Sequence, residues 1–283
     1  MAELSPSRPT RALTVLARPI DKLAGVGSAM RFYGRVLAKV PTTIKHYPKE
    51  IVRLLSEVSF GTGALAVIGG TIGVMLGLTM SVGLVVGMQG YAALDQLGTA
   101  SLNGFISAYF NTREVAPMVA ALALSATVGS GFTAQLGAMR INEEVDALSA
   151  MGVASVPYLV TTRVIAGFIA IIPLYVIGLL TSYAGARLVT VYFYGQSAGT
   201  YDHYFNLFLP PVDILLSFVK VLIFSVMIIL VHCRMGFTAT GGPAGVGIAV
   251  GQAVRRSLVA VAVLDLVLSM ALWGGTTTVR IAG

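Results

Sequence analysis

The sequence is poor in charge and in reactive side chains. Only 11% of its 283 residues are charged, whereas soluble domains carry about 25%, and the mean hydropathy is +0.84. A single cysteine, Cys233, excludes an internal disulfide, and three widely spaced histidines make no metal-ligand pattern. No GxxxxGKS or GxxxxGKT phosphate-binding motif occurs. These absences favour a membrane protein that binds no metal or nucleotide itself, so that any ATP is hydrolysed by another chain.

Long uncharged runs are the candidates for membrane spans. They cover residues 59–94, 115–139, 164–186, 214–233 and 257–273, and Lys220 and Asp265 interrupt the last two. About 20 apolar residues cross a bilayer as a helix. We therefore predict an all-α integral membrane fold, with a five-span domain in residues 59–283. The first run is longer than one span needs, so part of it is expected to be interfacial or re-entrant. Residues 187–213 and 234–256 are predicted to be loops.

A basic segment, residues 1–58, precedes the spans and holds ten of the 19 Lys and Arg residues. Within residues 28–40, apolar side chains recur at helical spacing opposite a row of three basic residues, Arg31, Arg35 and Lys39. A second short amphipathic piece follows Pro48. The pattern is typical of a helix that lies in the membrane interface, and a soluble helix docked on another subunit is the alternative. Nucleic acid is not an expected partner, because basic flanks of spans obey the positive-inside rule.

The distribution of positive charge also predicts the orientation. If the N-terminus is cytoplasmic, fourteen Lys and Arg residues lie in cytoplasmic segments, and only Arg113, Arg187 and Arg280 lie on the other side. Cytoplasmic loops carry such an excess. Five spans then place the C-terminus outside the cell.

A short cytoplasmic helix is predicted between the second and third spans, at residues 142–152. Asn142 is expected to cap it, and the acids Glu143, Glu144 and Asp146 fall in the first turn, where they complement the helix dipole. Its apolar stripe comprises Ile141, Val145, Leu148 and Met151, and Gly152 is expected to turn the chain back. An anionic leaflet would repel the three acids. We therefore interpret the helix as one that inserts into a groove of a soluble partner, with a helix lying on the membrane as the alternative.

Glycines and two charged residues mark the interiors of the spans. The glycines recur four residues apart as Gly69, Gly73 and Gly77, and again as Gly83 and Gly87. Such a strip lets another helix approach closely, and intramolecular packing, a dimer seam and a strip facing a lipid cavity all remain open. Lys220 is expected to snorkel towards the external end of its span. Asp265 is more central, and either forms a pair or polar site on the transport path or accepts a structural hydrogen bond from a Ser or Thr of a neighbouring helix. A proton-coupled secondary transporter that uses Asp265 is the alternative function.

Two stretches of the sequence resemble the MlaE/YrbE family of ABC transporter permeases. They read REVAPMVAALALSATVGSGFTAQLGAMRINEEVDALSAMGVASVPYLVTTRVIAG, residues 113–167, and GFTATGGPAGVGIAVGQAVRRS, residues 236–257. Ala126–Thr127 stands where the family pattern has Gly-Arg, and Gln135 stands where it has Glu. A buried ion pair is therefore expected to be absent or supplied by a partner. With the long basic N-terminus, the chain looks most like an actinobacterial YrbE subunit of an Mce complex, possibly of the B type.

The resemblance implies a fold and a set of partners. The fold is that of an MlaE-like permease, with an N-terminal interfacial helix, five transmembrane helices and a coupling helix at residues 142–152. The implied partners are an ABC ATPase similar to MceG or MlaF, which would bind ATP and Mg, a second YrbE-like permease subunit as a hetero- or homodimer, and MCE-domain proteins. The implied cargo is a lipid (fatty acid, sterol or phospholipid) at the bacterial plasma membrane, with no catalytic residue and no cofactor in this chain.

Overall fold

The computed structural model describes residues 25–60 and 70–274. Within those ranges the chain is helical, with short connections and no β-strand. Three helices precede the first span: α1 at residues 25–38, α2 at Val40–His46 and α3 at Pro48–Phe60. The remaining helices are α4 (Gly70–Asp95), α5 (Ala100–Ile141), α6 (Glu144–Ala150), α7 (Val156–Phe193), α8 (Ala198–Leu207), α9 (Pro211–Phe237) and α10 (Gly242–Trp273).

Five of these helices, α4, α5, α7, α9 and α10, are long and apolar enough to cross a bilayer. The predicted all-α fold with five spans is therefore confirmed. The core lies between α5, α7 and α9, where Leu124, Ile171 and Phe224 are almost fully buried. The expected re-entrant part of the first run, and Gly69 with it, lies outside the described residues.

Two of the predicted loops are largely helical, so those boundaries were wrong. Residues 242–256 form the first half of α10, and α8 occupies the centre of the predicted loop 187–213. Ala249 and Ala253 of α10 are buried, and Gly137 on α5 packs so closely that a β-carbon there would lie 2.8 Å from Val246. The glycines of residues 242–251 are weak helix formers in isolation, and close packing of this segment against α5 overrides their propensity.

The second span also begins earlier than predicted, because α5 includes Arg113 and Glu114. In the sequence, the charged residues Arg113 and Glu114 set the start of the uncharged run at residue 115. In the structure, Arg113 is only 4% exposed and is paired with a buried acid. It was placed among the external loop charges, and it instead lies inside a helix. Pairing removes most of the cost of burying a charge, so the helix continues through it.

The amphipathic helices before the first span pack as their pattern predicts. Phe32 and Val36 of α1 are buried, and the Phe32 ring lies 5.9 Å from that of Phe237 at the end of α9. On α3, Leu54 and Val58 are buried, and this helix packs along α7. The basic side chains of α1 remain exposed. These helices therefore brace one end of the spans.

The glycines of α4 divide between two environments. Gly83 and Gly87 face α7, and a β-carbon on Gly87 would lie 2.7 Å from the carbonyl oxygen of Ala186, which no side chain tolerates. From the other helix, Gly185 meets α4 just as closely. Gly77 faces open space and Gly73 is half-buried. Gly83 and Gly87 therefore pack α4 against α7, whereas Gly77 stays open at the surface.

Candidate functional site

The turn into α6 is built differently from the predicted cap. Asn142 ends α5, and Glu143 adopts a left-handed conformation with φ of 61°. The carbonyl oxygen of Glu143 accepts a 2.9 Å hydrogen bond from the amide of Ala147, so Glu143 begins α6. The prediction that Asn142 caps this helix was wrong, because the chain reverses sharply between α5 and α6 and uses the left-handed residue to do so. Such a conformation costs a non-glycine residue about 1 kcal/mol.

α6 is held to the body of the protein by one ion pair and two apolar side chains. Arg140 Nη1, in the last turn of α5, lies 2.7 Å from Asp146 Oδ1. Val145 is 2% exposed, and Leu148 packs against the core. Part of the predicted apolar stripe thus attaches α6 to its own chain rather than to a partner. α6 is therefore attached to α5 by contacts within its own chain.

The opposite face of α6 is open. Glu143 and Glu144 are exposed, and Met151 at its end is 70% exposed. Gly152 follows with φ of 77° and turns the chain towards α7. A cleft of about 410 Å³ lies beside this turn, bounded by the segment 149–157. Acids, an exposed methionine and a cleft are thus grouped at the connection between the second and third spans.

A cluster of five charged residues joins α5, α9 and α10 at the other end of the spans. Its centre is Lys220, which is fully buried. The Lys220 Nζ lies 2.9 Å from Glu114 Oε2 and 2.7 Å from Asp265 Oδ1. It also donates to Ser269 Oγ at 2.7 Å. The prediction that Lys220 snorkels was wrong, because two carboxylates and a hydroxyl satisfy its ammonium inside the protein.

The backbone supplies a further partner for Lys220. Its Nζ donates to the carbonyl oxygen of Arg113 at 2.8 Å. The amine is therefore tied to α5 through the main chain as well as through Glu114.

The second ion pair of the cluster lies beside the first. Arg113 and Asp213 approach to 2.6 Å, and both side chains are 4% exposed. The indole Nε1 of Trp273 donates to the other carboxylate oxygen at 2.9 Å, and the Arg113 guanidinium lies 3.8 Å from the ring centroid of Tyr109. Sequence patterns could not pair Arg113 with Asp213, which lie one hundred residues apart.

Gln135 bridges the buried Arg163 on α7 and Glu57 on α3. Its side-chain amide donates to Glu57 on α3, and its oxygen accepts a 3.2 Å hydrogen bond from Arg163 Nη2 on α7. Arg163 is 4% exposed and also donates to the carbonyl oxygen of Leu159. The buried ion pair of the family pattern was expected to be absent here or to be supplied by a partner. Here the acid comes from the amphipathic helix of the same chain, with Gln135 as the bridge.

His232 forms a buried polar contact between three spans. Its Nδ1 lies 2.9 Å from Thr133 Oγ1, and its Nε2 lies 3.1 Å from Ser125 Oγ and 3.2 Å from Ser257 Oγ. His232 lies within α9 and is fully buried. Its ring contacts hydroxyl groups of α5 and α10, so the arrangement ties three helices together.

Comparison with known proteins gives the relatives of this chain. The sequence model of the family described as Permease MlaE matches residues 60–271. The protein TRIGALACTOSYLDIACYLGLYCEROL 1, chloroplastic, of Arabidopsis thaliana is 32% identical over 70% of this chain and 57% of its own length. A probable ABC transporter permease protein of Rickettsia bellii is 30% identical over 66% of this chain and 72% of its own. A probable ABC transporter permease protein of Synechocystis is 31% identical over 69% of this chain and 74% of its own length.

The five spans, the buried ion pairs that join them and the family match define a polytopic, all-α transporter subunit. The chain belongs to the MlaE permease family, since the family match covers well over half of its length. It resembles relatives named as ABC transporter permeases. The alignment spans little more than half of the Arabidopsis relative.

Proposed function

We propose that the chain is the permease subunit of an ATP-driven lipid transporter of the Mce/Mla type, with α6 as the element that couples it to a separate ATPase. The observation that carries this proposal is the split character of α6. One face is fixed to α5 by Arg140 and Val145, and the other presents Glu144 and Met151. A partner that binds the open face moves α5 and α7 with it, because α6 connects the two spans.

The orientation belongs to the same proposal. The exposed basic residues of α1 and the acids of α6 lie at the ends of the spans that the charge distribution assigns to the cytoplasm. The membrane is the bacterial plasma membrane, and the ATPase binds ATP and Mg in the cytoplasm. The cluster around Lys220 then lies towards the external side, where MCE-domain proteins would receive or deliver a fatty acid, sterol or phospholipid.

A second permease subunit of the same family is the proposed partner within the membrane. Only 17% of the most apolar stretch of α10 is buried within the chain, compared with 61% for α5. The outward face of α10 is apolar and includes Val259, Val263 and Met270, each more than half exposed. A face of this kind on the outermost span suits another helix bundle, and Gly77 of α4, which faces open space, is a second point of close approach.

The coupling proposal is tested by recovery of the ATPase with a tagged permease. Met151→Asp places a charge on the exposed anchor without disturbing the core, and should reduce ATPase recovery at least tenfold, because it leaves a charge unpaired in an apolar groove. Leu97→Asp is the matched control, since Leu97 is 75% exposed between α4 and α5, and should leave recovery unchanged. Full recovery with Met151→Asp, with lipid transport intact, would exclude α6 as the coupling element.

The dimer proposal is tested in the same preparation. Val263→Arg should prevent a second permease subunit from co-purifying, whereas Leu180→Arg, on the outer face of α7 and 61% exposed, should not. Both variants carry a similar cost of membrane insertion, because each places one arginine on an apolar surface. Loss of the second subunit in both variants, or in neither, would contradict the assignment of α10 as the dimer face.

A further inference from the structure

An apolar groove runs along α9 on a surface that the coupling and dimer proposals do not use. It has a volume of about 430 Å³. Its floor is formed by α9 from Val219 to Val231, and its walls by Phe168 of α7 and Tyr33 of α1. At 1.5 Å per residue the floor is about 18 Å long, or roughly the thickness of one leaflet of a 30 Å hydrocarbon core. The lining and length suit one acyl chain.

The end of the groove next to α1 is polar and positively charged. Arg234 follows the groove on α9 by one turn, and its Nη2 donates to Ser28 Oγ on α1 at 3.2 Å. Arg256 on α10 contacts the sulfur of Met235 at 3.0 Å. Burial raises the pKa of Tyr33, and the positive charges of Arg234 and Arg256 offset part of that rise. Since Met235 is the chain neighbour of Arg234, the contact of Arg256 with Met235 places both arginines at this end of the groove.

These two arginines have no acidic partner within the chain as described. The ion pairs of residues 25–60 and 70–274 use other cations. Arg256 is exposed, and Arg234 is half-buried. Two cations without a counter-ion, placed where an apolar groove reaches the level of the headgroups, are complementary to an anion attached to an acyl chain.

We propose that this groove binds one anionic phospholipid of the surrounding bilayer, with an acyl chain along Val219–Val231 and its phosphate at Arg234 and Arg256. The lipid would fill the gap between α1 and α9 and so fix the interfacial helix against the spans. The groove faces the membrane, whereas Arg256 lies on α10, on the same side as Val259 and Val263 of the proposed dimer face. Assigning it to the cytoplasmic leaflet rests on the proposed orientation, but binding itself does not.

Photo-crosslinking tests this site in the full chain, purified with the subunits that accompany it and placed in phosphatidylcholine vesicles. The probe is phosphatidylglycerol with a diazirine in its acyl chain, compared with phosphatidylcholine carrying the same label, and peptide mass spectrometry locates the products. We expect label within residues 219–231, with phosphatidylglycerol favoured about fivefold per contacting arginine. Arg234→Gln combined with Arg256→Gln should remove that preference and leave the acyl labelling.

A second variant tests the groove itself. Met227→Trp fills it and should abolish labelling of residues 219–231 by both lipids, whereas Leu180→Trp, on an outer face of α7, should not. Equal labelling by the two lipids in the unaltered protein would overturn the proposal. So would labelling that survives Met227→Trp, or a preference that survives the double arginine variant. Vesicles contain both leaflets, so these outcomes hold whichever way the chain is oriented and whether or not it transports lipid.

Discussion

The ammonium nitrogen of Lys220 lies 2.7 Å from the Oδ1 atom of Asp265, and the lysine has no exposed surface. Glu114 approaches the same nitrogen at 2.9 Å and is partly exposed. One buried cation is thus shared by two carboxylates from different spans. Removing the cation leaves two acids without a partner, whereas removing one acid leaves the cation paired with the other.

This arrangement predicts unequal effects of mutation at the two ends of the pair. Lys220→Met should destabilise the protein by about 3–5 kcal/mol, because it removes the one cation with which both Glu114 and Asp265 are paired. Asp265→Asn should cost less and should leave lipid transport intact. Thermal unfolding in detergent and a transport assay would measure the two effects. Abolished transport in an Asp265→Asn protein that folds and assembles normally would instead support a proton-coupled mechanism.

The Gln135 bridge predicts a rescue experiment. Glu57→Ala should destabilise the protein, because the buried guanidinium of Arg163 then lacks its carboxylate. The Arg163 guanidinium lies 3.2 Å from the side-chain oxygen of Gln135. Gln135→Glu therefore places a carboxylate directly against it. The double variant should therefore be more stable than Glu57→Ala alone, by roughly 1–3 kcal/mol for a coupled pair. Unfolding midpoints in detergent would show this, and strictly additive effects would refute the bridge.

The proposed orientation predicts where single cysteines react. The native Cys233 is fully buried, so it should stay silent towards an impermeant thiol reagent. Asn142→Cys should react only when the cytoplasmic side is opened, and Leu97→Cys should react in intact cells. Both positions are exposed, so a lack of reaction reports the side of the membrane rather than burial. Labelling of Asn142→Cys from outside would reverse the topology.

The ion pair between Arg187 and Asp202 of α8 should make the free energy of unfolding depend slightly on pH. The hydrogen bonds from Arg187 hold the pKa of Asp202 below its usual value, through contacts of 2.8 and 2.9 Å. A carboxyl with a lowered pKa contributes stability above its unfolded pKa of about 3.9, and that contribution is lost as the pH falls through the folded value. The pair is largely exposed, so the loss should stay below about 1 kcal/mol. Asp202→Asn should remove it, as unfolding midpoints measured down to pH 3 would show.

Much of the architecture follows from one-dimensional patterns. Uncharged runs of span length, a basic segment before them and a short acidic helix between the second and third spans are local features, and the physics behind each acts along the chain. The predictions of five spans, and of amphipathic helices at residues 28–40 and after Pro48, depend on these features alone. Where packing competes with local preference, as in the glycine-rich start of α10, the boundary could not be read from the sequence.

The partners of individual polar residues were decided by the tertiary structure alone. Lys220 has the same sequence environment whether it snorkels to the interface or is buried against Asp265, and only the packing of α9 against α5 and α10 brings the acids within 3 Å. Likewise Glu57 and Arg163 meet through Gln135 because α3 folds back along α7. The hydropathy of a segment sets whether it enters the membrane, but the free energy of a buried charge depends on its nearest neighbours, which only the folded arrangement supplies.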